Sequence, residues 1–340
     1  MKAWQLGQRR GLTDLQLGER DTPMPGPREV RVRVLAAGLN YRDLMVANGD
    51  YGRDLPATRV PLSDGVGIVT AIGDGVDSVE PGWRVIAPHF VGWHDGPYRP
   101  EFFAADLGVT VDGWLAQEII LPASALIRVP DALDNATAAT FAVAGATVWH
   151  ALVRFGASEA GQLVLTQGTG GIAIFTLLAA KALGAAVAIT SSSDAKLAEA
   201  QQLGADYIIN YRRRPDWAEA LREATGGRGV DVIVDTLGFS ALGQTVAAAA
   251  VEGRIATVGA QSGHPTDVGS ASQGALIGKN IVVKGIASGS REMLIDALDL
   301  AAEKELRMPI AREFDFGEAP DAYHYLAEAA HFGKLLIRMD

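Results

Sequence analysis

The chain has 340 residues, and 30 Lys and Arg against 40 Asp and Glu give it a formal charge of −10. At about 150 residues per domain the length points to two domains, and 48% hydrophobic with 21% charged residues leaves ample apolar surface to bury, which excludes a disordered chain. The acidic balance argues against a nucleic-acid partner, whose phosphates call for basic side chains. The absence of cysteine excludes disulfides, thiolate catalysis, iron–sulfur clusters and thiolate zinc sites.

Residues 1–10 carry Lys2, Arg9 and Arg10 and no apolar run, so no signal peptide is expected there. Residues 30–34 alternate Val with Arg, the pattern of a half-buried strand. Residues 65–73 and 82–86 read as further strands, and Pro25-Gly26-Pro27, Gly73-Asp74-Gly75 and Pro81-Gly82 punctuate them. Short strands with frequent turns predict a compact, barrel-like β domain.

The composition changes after Pro130. Residues 132–155 are Ala-rich and predict a helix, with Asp131 or Asp134 as its cap. Apolar strands then alternate with helices: strands at 163–166, 186–190, 207–209, 230–234, 254–258 and 281–286, helices at 171–183, 195–203, 217–224 and 242–251. That rhythm implies a parallel sheet covered on both faces. The apolar stretches 136–153 and 171–189 are interrupted by Gly145 and His150 and by Lys181 and Gly184. They are therefore read as buried elements, with no membrane span, and a cytoplasmic protein is expected. Residues 291–303 and 319–330 predict helices and 334–338 a final strand, a tail expected to return to the first domain.

Gly168-Thr169-Gly170-Gly171-Ile172-Ala173 follows a strand and opens a helix. In that context G-x-G-x-x-A is a dinucleotide signature: Gly168 allows the tight turn, Gly170 lets the pyrophosphate approach, and Ala173 lets helix and strand close up. The helix N-terminus offers N–H groups to the phosphates. The second strand runs into Ser191, Ser192 and Ser193, with Asp194 and Lys196 following. An NAD site places a carboxylate at that strand end. Here Ser191 stands there, and Lys196, Tyr211 and Arg212 to Arg214 can meet a 2′-phosphate, so NADP(H) is favoured over NAD(H). The alternative reading makes Asp194 the cap of the next helix and Lys196 a solvated side chain; turned back to the ribose, Asp194 would reverse the preference.

The glycine loop, the two-domain order and three further segments resemble the medium-chain dehydrogenase/reductase superfamily. The segments are Ala37-Gly38-Leu39-Asn40-Tyr41-Arg42-Asp43, Ser63-Asp64-Gly65-Val66-Gly67 and Ala144-Gly145-Ala146-Thr147-Val148-Trp149. Within the superfamily the chain is similar to the zinc-independent, quinone-oxidoreductase-like branch, with NAD(P)-dependent alcohol dehydrogenase-like members beside it. The resemblance implies an α/β protein with a GroES-like, β-rich catalytic domain (1–130, completed by 290–340) and a Rossmann, doubly wound parallel-sheet nucleotide domain (131–289). It implies a cleft between them, a homodimer formed through the nucleotide domain, and a nicotinamide lined by Thr147, Leu237, Gly238, Val258, Gly259, Ala260, Ala287, Ser288 and Gly289. His331-Phe332-Gly333-Lys334 resembles the family's glycine-lysine turn, whose lysine approaches the cofactor phosphates; a plain turn with an exposed lysine is the alternative.

Zinc-dependent members of the superfamily use two Cys and a His–Glu pair. The matching positions here carry Asn40, Ser63-Asp64 and the 143–145 region, so no zinc is expected. A site made from His89, His94 and Asp64 is the remaining metal alternative. Without a Lewis acid the substrate must accept hydride readily or spread the charge itself, which points to a quinone or an α,β-unsaturated carbonyl. Asn40, Tyr41, Asp43 and Tyr51 are the candidate catalytic residues: Asn40 to donate to the developing oxyanion, Tyr51 to donate a hydrogen bond or a proton, Asp43 to fix the loop. Asn40 and Asp43 also read as a turn and a helix cap. Asp64 is expected to pair with Arg42 or another cation. The aromatic insert from Phe90 to Phe103 walls the substrate or seals the barrel. The rival functions are a zinc-free alcohol dehydrogenase, an enoyl-thioester reductase, and a non-enzymatic crystallin-like or RNA-binding protein.

Overall fold

The computed structural model describes residues 1–7, 11–52, 56–259 and 270–339. They form two compact units, Met1–Ala146 with Ser290–Asp340, and Thr147–Gly289.

The first unit contains β1 (Lys2–Leu6), β2 (Leu15–Glu19), β3 (Glu29–Leu39), α1 (Tyr41–Asn48), β4 (Asp64–Ile72), β5 (Arg84–Ile86), β6 (Glu118–Pro122), β7 (Ile127–Arg128), α2 (Asn135–Ala138) and the start of α3 (Phe141–Trp149). Strand β3 is its spine, pairing antiparallel with β4 and β6. The Val–Arg alternation explains why: Val30, Val32 and Val34 are buried while Arg33 is exposed. In β4 the glycines have a steric cause, since a Cβ on Gly65 would lie 2.4 Å from the Trp114 ring.

In the second unit β8 (Leu163–Gln167), α4 (Gly171–Ala182), β9 (Ala186–Ser191), α5 (Asp194–Gln202), β10 (Tyr207–Asn210), α6 (Trp217–Ala224), β11 (Val230–Asp235), α7 (Leu242–Ala248), β12 (Ala249–Thr257), α8 (Ser270–Gly278) and β13 (Val282–Gly285) follow the remainder of α3. The six strands are all parallel, in the order β10-β9-β8-β11-β12-β13. Counted within the unit this is 3-2-1-4-5-6, the doubly wound dinucleotide-binding order. The chain returns to the first unit with α9 (Arg291–Glu303), β14 (Ile310–Asp315), α10 (Ala319–Ala327) and β15 (Lys334–Arg338). Strand β15 zips antiparallel onto β3, with Leu335 opposite Leu39 and Ile337 opposite Ala37.

Three details differ from the sequence reading. The helix expected over 132–155 is broken into α2 and α3 and ends in a π-helical turn over His150–Phe155. At the break the Thr140 hydroxyl donates back to the carbonyls of Ala136 and Thr137, a local bond that competes with the ladder. Of the two cap candidates Asp134 serves, accepting from the Thr137 N–H at 2.7 Å. Helix α7 stops at Ala248 because Ala249 is already paired with Val230 of β11. Ser193 caps α5, and Asp194, the cap in the alternative reading, is the first helical residue. Among the described residues no helix is long and apolar enough to cross a membrane.

Candidate functional site

In the second unit, β8 leads straight into the glycine loop. Gly168 holds φ at +80°, a left-handed conformation that only glycine adopts without strain, and its N–H donates to Thr190 O at the end of β9 (2.8 Å). Gly170 caps α4, and a Cβ built there meets no atom of the described residues within 4 Å. The open space before a helix N-terminus is the cradle a pyrophosphate requires, so these residues fit a dinucleotide. Thr169 is buried, and Gly171 and Ile172 are half-buried in the first turn.

Because all six strands are parallel, their carboxyl ends share one edge. Gly168 follows β8, Ser191 ends β9, Leu237 and Gly238 follow β11, Val258 and Gly259 follow β12, and Ala287, Ser288 and Gly289 follow β13. The fold thus gathers these sequence-separated candidates along one border. The turn after β11 is fixed by Asp235, whose Oδ1 accepts from the N–H groups of Leu237 and Gly238, both at 3.0 Å. His150, which no sequence signal places in the site, steadies the segment after β13 by donating from Nδ1 to Ser288 O at 2.6 Å. Burial holds its imidazole below the usual histidine value. Thr147 is buried in the same unit. Ala260 lies outside the described residues.

At the end of β9, the buried Ser191 accepts at Oγ from the Ser193 N–H, and Ser192 is half-buried. Asp194 forms an ion pair with Arg213, and its Oδ1 also accepts from Asn210 Nδ2 at 2.7 Å. Arg214 is engaged by Asp216 and Glu223, whereas Arg212 and Tyr211 are exposed. Lys196 is half-buried, and that burial lowers its ammonium below the usual lysine value.

In the first unit a polar cluster gathers at the N-terminus of α1. Asn40 caps the helix, and its backbone N–H donates to Asp43 Oδ2 at 2.8 Å. The Asn40 side chain is turned elsewhere: Oδ1 accepts from Lys334 Nζ at 2.6 Å and Nδ2 donates to Asp64 Oδ2 at 2.9 Å. Lys334 also reaches Asp64 Oδ2 at 3.1 Å, and Asp64 Oδ1 takes the Val143 N–H at 2.8 Å. An ammonium only donates and a carboxylate only accepts, so the amide can face just one way. Lys334, expected near cofactor phosphates or exposed in a turn, is instead 3% exposed within this network. The cation that Asp64 takes is this lysine, and Arg42 faces other partners.

Those partners form a second group. Arg42 Nη1 donates to Ser63 Oγ at 2.8 Å, and Nη2 pairs with Asp106 and donates to the Tyr51 hydroxyl at 3.3 Å. His89 Nδ1 lies 2.8 Å from Asp106 Oδ1. Burial, and then Arg42, hold His89 below the usual histidine value. Against its own burial, Arg42 and His89 hold Asp106 below the usual carboxylate value. Ser63 Oγ lies 3.3 Å from Asp43 Oδ1. Burial pushes the Asp43 carboxyl up to about 6, against the pull of Arg42 and the Asn40 N–H. Asp106 gives no signal in the sequence, because it acts only through folding. Tyr41, at 46% exposure, stands apart from this network. Phe90 and Trp93 of the aromatic insert are buried and seal the unit, whereas Tyr98 is exposed and Phe102 and Phe103 half-buried. Among the described residues no three His, Asp or Glu side chains converge as metal ligands, and His94 is exposed.

Residues 26–131 match the alcohol dehydrogenase GroES-like domain, and residues 171–303 match the zinc-binding dehydrogenase family. A zinc-type alcohol dehydrogenase-like protein of Schizosaccharomyces pombe is 36% identical over 97% of this chain and 96% of its own length. A phenolphthiocerol/phthiocerol polyketide synthase of Mycobacterium tuberculosis is 32% identical over 98% of this chain, which spans 14% of that protein. A crystal structure of a candidate alcohol dehydrogenase from Sinorhizobium meliloti 1021 covers both chains completely at 39% identity, with a TM-score of 0.91.

Proposed function

The chain belongs to the medium-chain dehydrogenase/reductase superfamily and is an oxidoreductase, and we propose that it uses NADP(H) to reduce a quinone or an activated carbonyl or enone without zinc. The observation that carries the zinc-free reading is the Asn40–Lys334–Asp64 network. At the positions that would have to supply metal ligands, an amide and a carboxylate are already satisfied by a buried ammonium, a poor donor set for a second cation.

The nucleotide is assigned to Gly168, Thr169, Gly170, Gly171 and Ile172 for its pyrophosphate. Ser191, Ser192, Lys196 and Tyr211 are assigned to its adenosine end, and Thr147 with the strand-end residues of β11, β12 and β13 to its nicotinamide half. When bound, the nicotinamide supplies the hydride. The NADP(H) preference is supported by the state of Asp194: paired with Arg213 and Asn210, it is a weak competitor for ribose hydroxyls, and a serine at the strand end leaves room for a 2′-phosphate.

Asn40 retains one amide hydrogen beyond the bond to Asp64 and is assigned to the substrate oxyanion. Tyr51 is assigned as proton donor and Asp43 as the residue that fixes the Asn40 backbone, while Tyr41 is assigned to line the acceptor. Among the described residues, β13 is an edge strand with Val282 and Val283 exposed, and such an edge suits pairing with a second copy in a homodimer.

The M. tuberculosis relative supports a second reading, an enoyl-thioester reductase acting on a carrier-bound substrate. Against it, Arg59 is buried and donates to the carbonyls of Gly108 and Pro56, so it is not available to a phosphate-bearing carrier. Assays of NADPH and NADH oxidation against quinones, enones and enoyl thioesters, and of NADP⁺ reduction by alcohols, each with and without chelator, test the proposal. Chelator-insensitive reduction of quinones or enones by NADPH is expected. Alcohol oxidation that requires added zinc would overturn it.

A further inference from the structure

Arg42 is a heavily engaged cation of the first unit, yet nothing in hydride transfer requires it. Its guanidinium spans Ser63, Asp106 and Tyr51, its Nη1 also lies 2.9 Å from His89 Nδ1, and its Cζ lies 4.8 Å from the centre of the Tyr51 ring. Asp106 is fully buried and is held from its other oxygen by His89. Phe103 closes the far side of the Tyr51 ring, with centroids 6.1 Å apart. The arginine is thus immobilised from behind, and the tyrosine is fixed against it.

The direction of the bond matters most. An arginine can only donate, so the Arg42–Tyr51 bond occupies a lone pair on the phenol oxygen and leaves the phenol hydrogen free for another acceptor. The same guanidinium stabilises any negative charge that develops on that oxygen. We propose that Arg42, clamped by Asp106, is the positioning residue that makes Tyr51 a proton donor. In the step it supports, the Tyr51 O–H bond breaks and its electron pair stays on the phenol oxygen. The proton forms an O–H bond on the oxyanion that hydride addition leaves on the acceptor. The tyrosinate is held by the guanidinium until solvent returns a proton. This inference rests on the proposed role of Tyr51.

Two measurements test it. The first needs neither substrate nor nucleotide. Tetranitromethane nitrates tyrosinate, and peptide mass spectrometry reports each site, with the exposed Tyr41, Tyr98 and Tyr211 as controls in the same sample. Nitration of Tyr51 relative to these is expected to fall about tenfold in R42K, because lysine keeps a charge opposite Asp106 but cannot span all three partners. The second is a kinetic cycle. Y51F is expected to lower kcat about 100-fold and R42K about tenfold, with nucleotide KM unchanged. In the Y51F background R42K should cost nothing further. Should R42K fold poorly, R42Q combined with D106N, which removes both charges together, takes its place. If R42K lowers kcat equally with or without Tyr51, Arg42 has only a structural role and the inference fails. If Y51F is impaired but R42K is not, the inference fails while the proposed role of Tyr51 stands. If Y51F has full activity, that role fails first.

Discussion

Lys334, the first residue of the last strand, donates its ammonium to the side-chain carbonyl oxygen of Asn40 at 2.6 Å across 294 residues of sequence. The contact exists because β15 pairs with the end of β3, where Leu335 faces Leu39, one residue before the Asn40 cap. Asp64 enters from the start of β4, which pairs with β3 on its other side. Three strands therefore deliver one donor, one acceptor and one amide to a single buried point.

Removing the ammonium leaves the Asp64 carboxylate buried without its cation. Lys334→Met is expected to lower the unfolding free energy by about 3–5 kcal/mol, measured by urea denaturation. Lys334→Met with Asp64→Asn removes both charges and is expected to recover most of that loss. A single variant as stable as the native chain would mean that the pair contributes no net stability.

Asp43 makes stability depend on pH in the direction opposite to most carboxylates. Its folded value is raised by burial from 3.8 to about 6. The native state therefore binds the proton more tightly than the unfolded chain does, and stability falls as pH rises through that interval. The contribution is fully present below 3.8 and lost as pH passes about 6. At about 1.4 kcal/mol per pH unit, the loss is roughly 3 kcal/mol. Asp43→Asn keeps an acceptor for the Asn40 N–H and cannot titrate, so its stability should rise relative to the native chain across that window. Parallel urea-derived stability profiles for the two proteins would show that Asp43 is not the titrating group.

Much of this fold is legible in the sequence because its signals are local. The Val30 to Val34 alternation marks β3, and the glycine spacing after β8 marks the nucleotide turn. What the sequence hides is what tertiary pairing decides. Val246 to Ala250 reads as continuous helix, yet Ala249 is taken into the sheet by Val230. Strand β14 escapes a sequence reading because Ala311, Arg312 and Glu313 are exposed at a sheet edge and give no alternation. In the candidate site, Asn40, Asp43 and Tyr51 stand out within one short polar segment. Lys334, which bonds Asn40, and Asp106 and His89, which hold Arg42, come from other strands and loops; Lys334 and His89 draw notice in the sequence for other roles, and no spacing rule points to these contacts.

The glycine loop separates folding from binding. Gly170→Val adds a side chain at a position where a Cβ meets no atom of the described residues within 4 Å, so its cost is that of a poorer helix cap, about 1 kcal/mol. The added methyl groups occupy the space assigned to the pyrophosphate. Titration by nucleotide fluorescence is expected to show no binding of NADPH, with the urea midpoint nearly unchanged. Native affinity in the variant would place the phosphates elsewhere.

The proposed NADP(H) preference rests on the residues after β9. Because Arg213 and Asn210 both engage Asp194, that carboxylate neither recruits the ribose hydroxyls strongly nor strongly repels a 2′-phosphate. Lys196, whose backbone N–H bonds the Ser193 cap, supplies a positive charge one turn into α5. Burial lowers its ammonium below the usual lysine value, with Glu199 pulling the other way, so an arriving phosphate adds a second counter-charge that favours the ammonium. NADPH is therefore expected to bind at least about tenfold more tightly than NADH, an advantage worth about one charge-assisted hydrogen bond. Lys196→Ala is expected to remove most of that gap by weakening NADPH and leaving NADH unchanged. Arg213→Ala releases Asp194 and should narrow the gap from both sides, weakening NADPH and strengthening NADH. Calorimetric titration of the three proteins with both nucleotides measures each effect. Equal affinities in the native protein would overturn the NADP(H) assignment, and an unchanged ratio in Lys196→Ala would move the 2′-phosphate to the exposed Arg212.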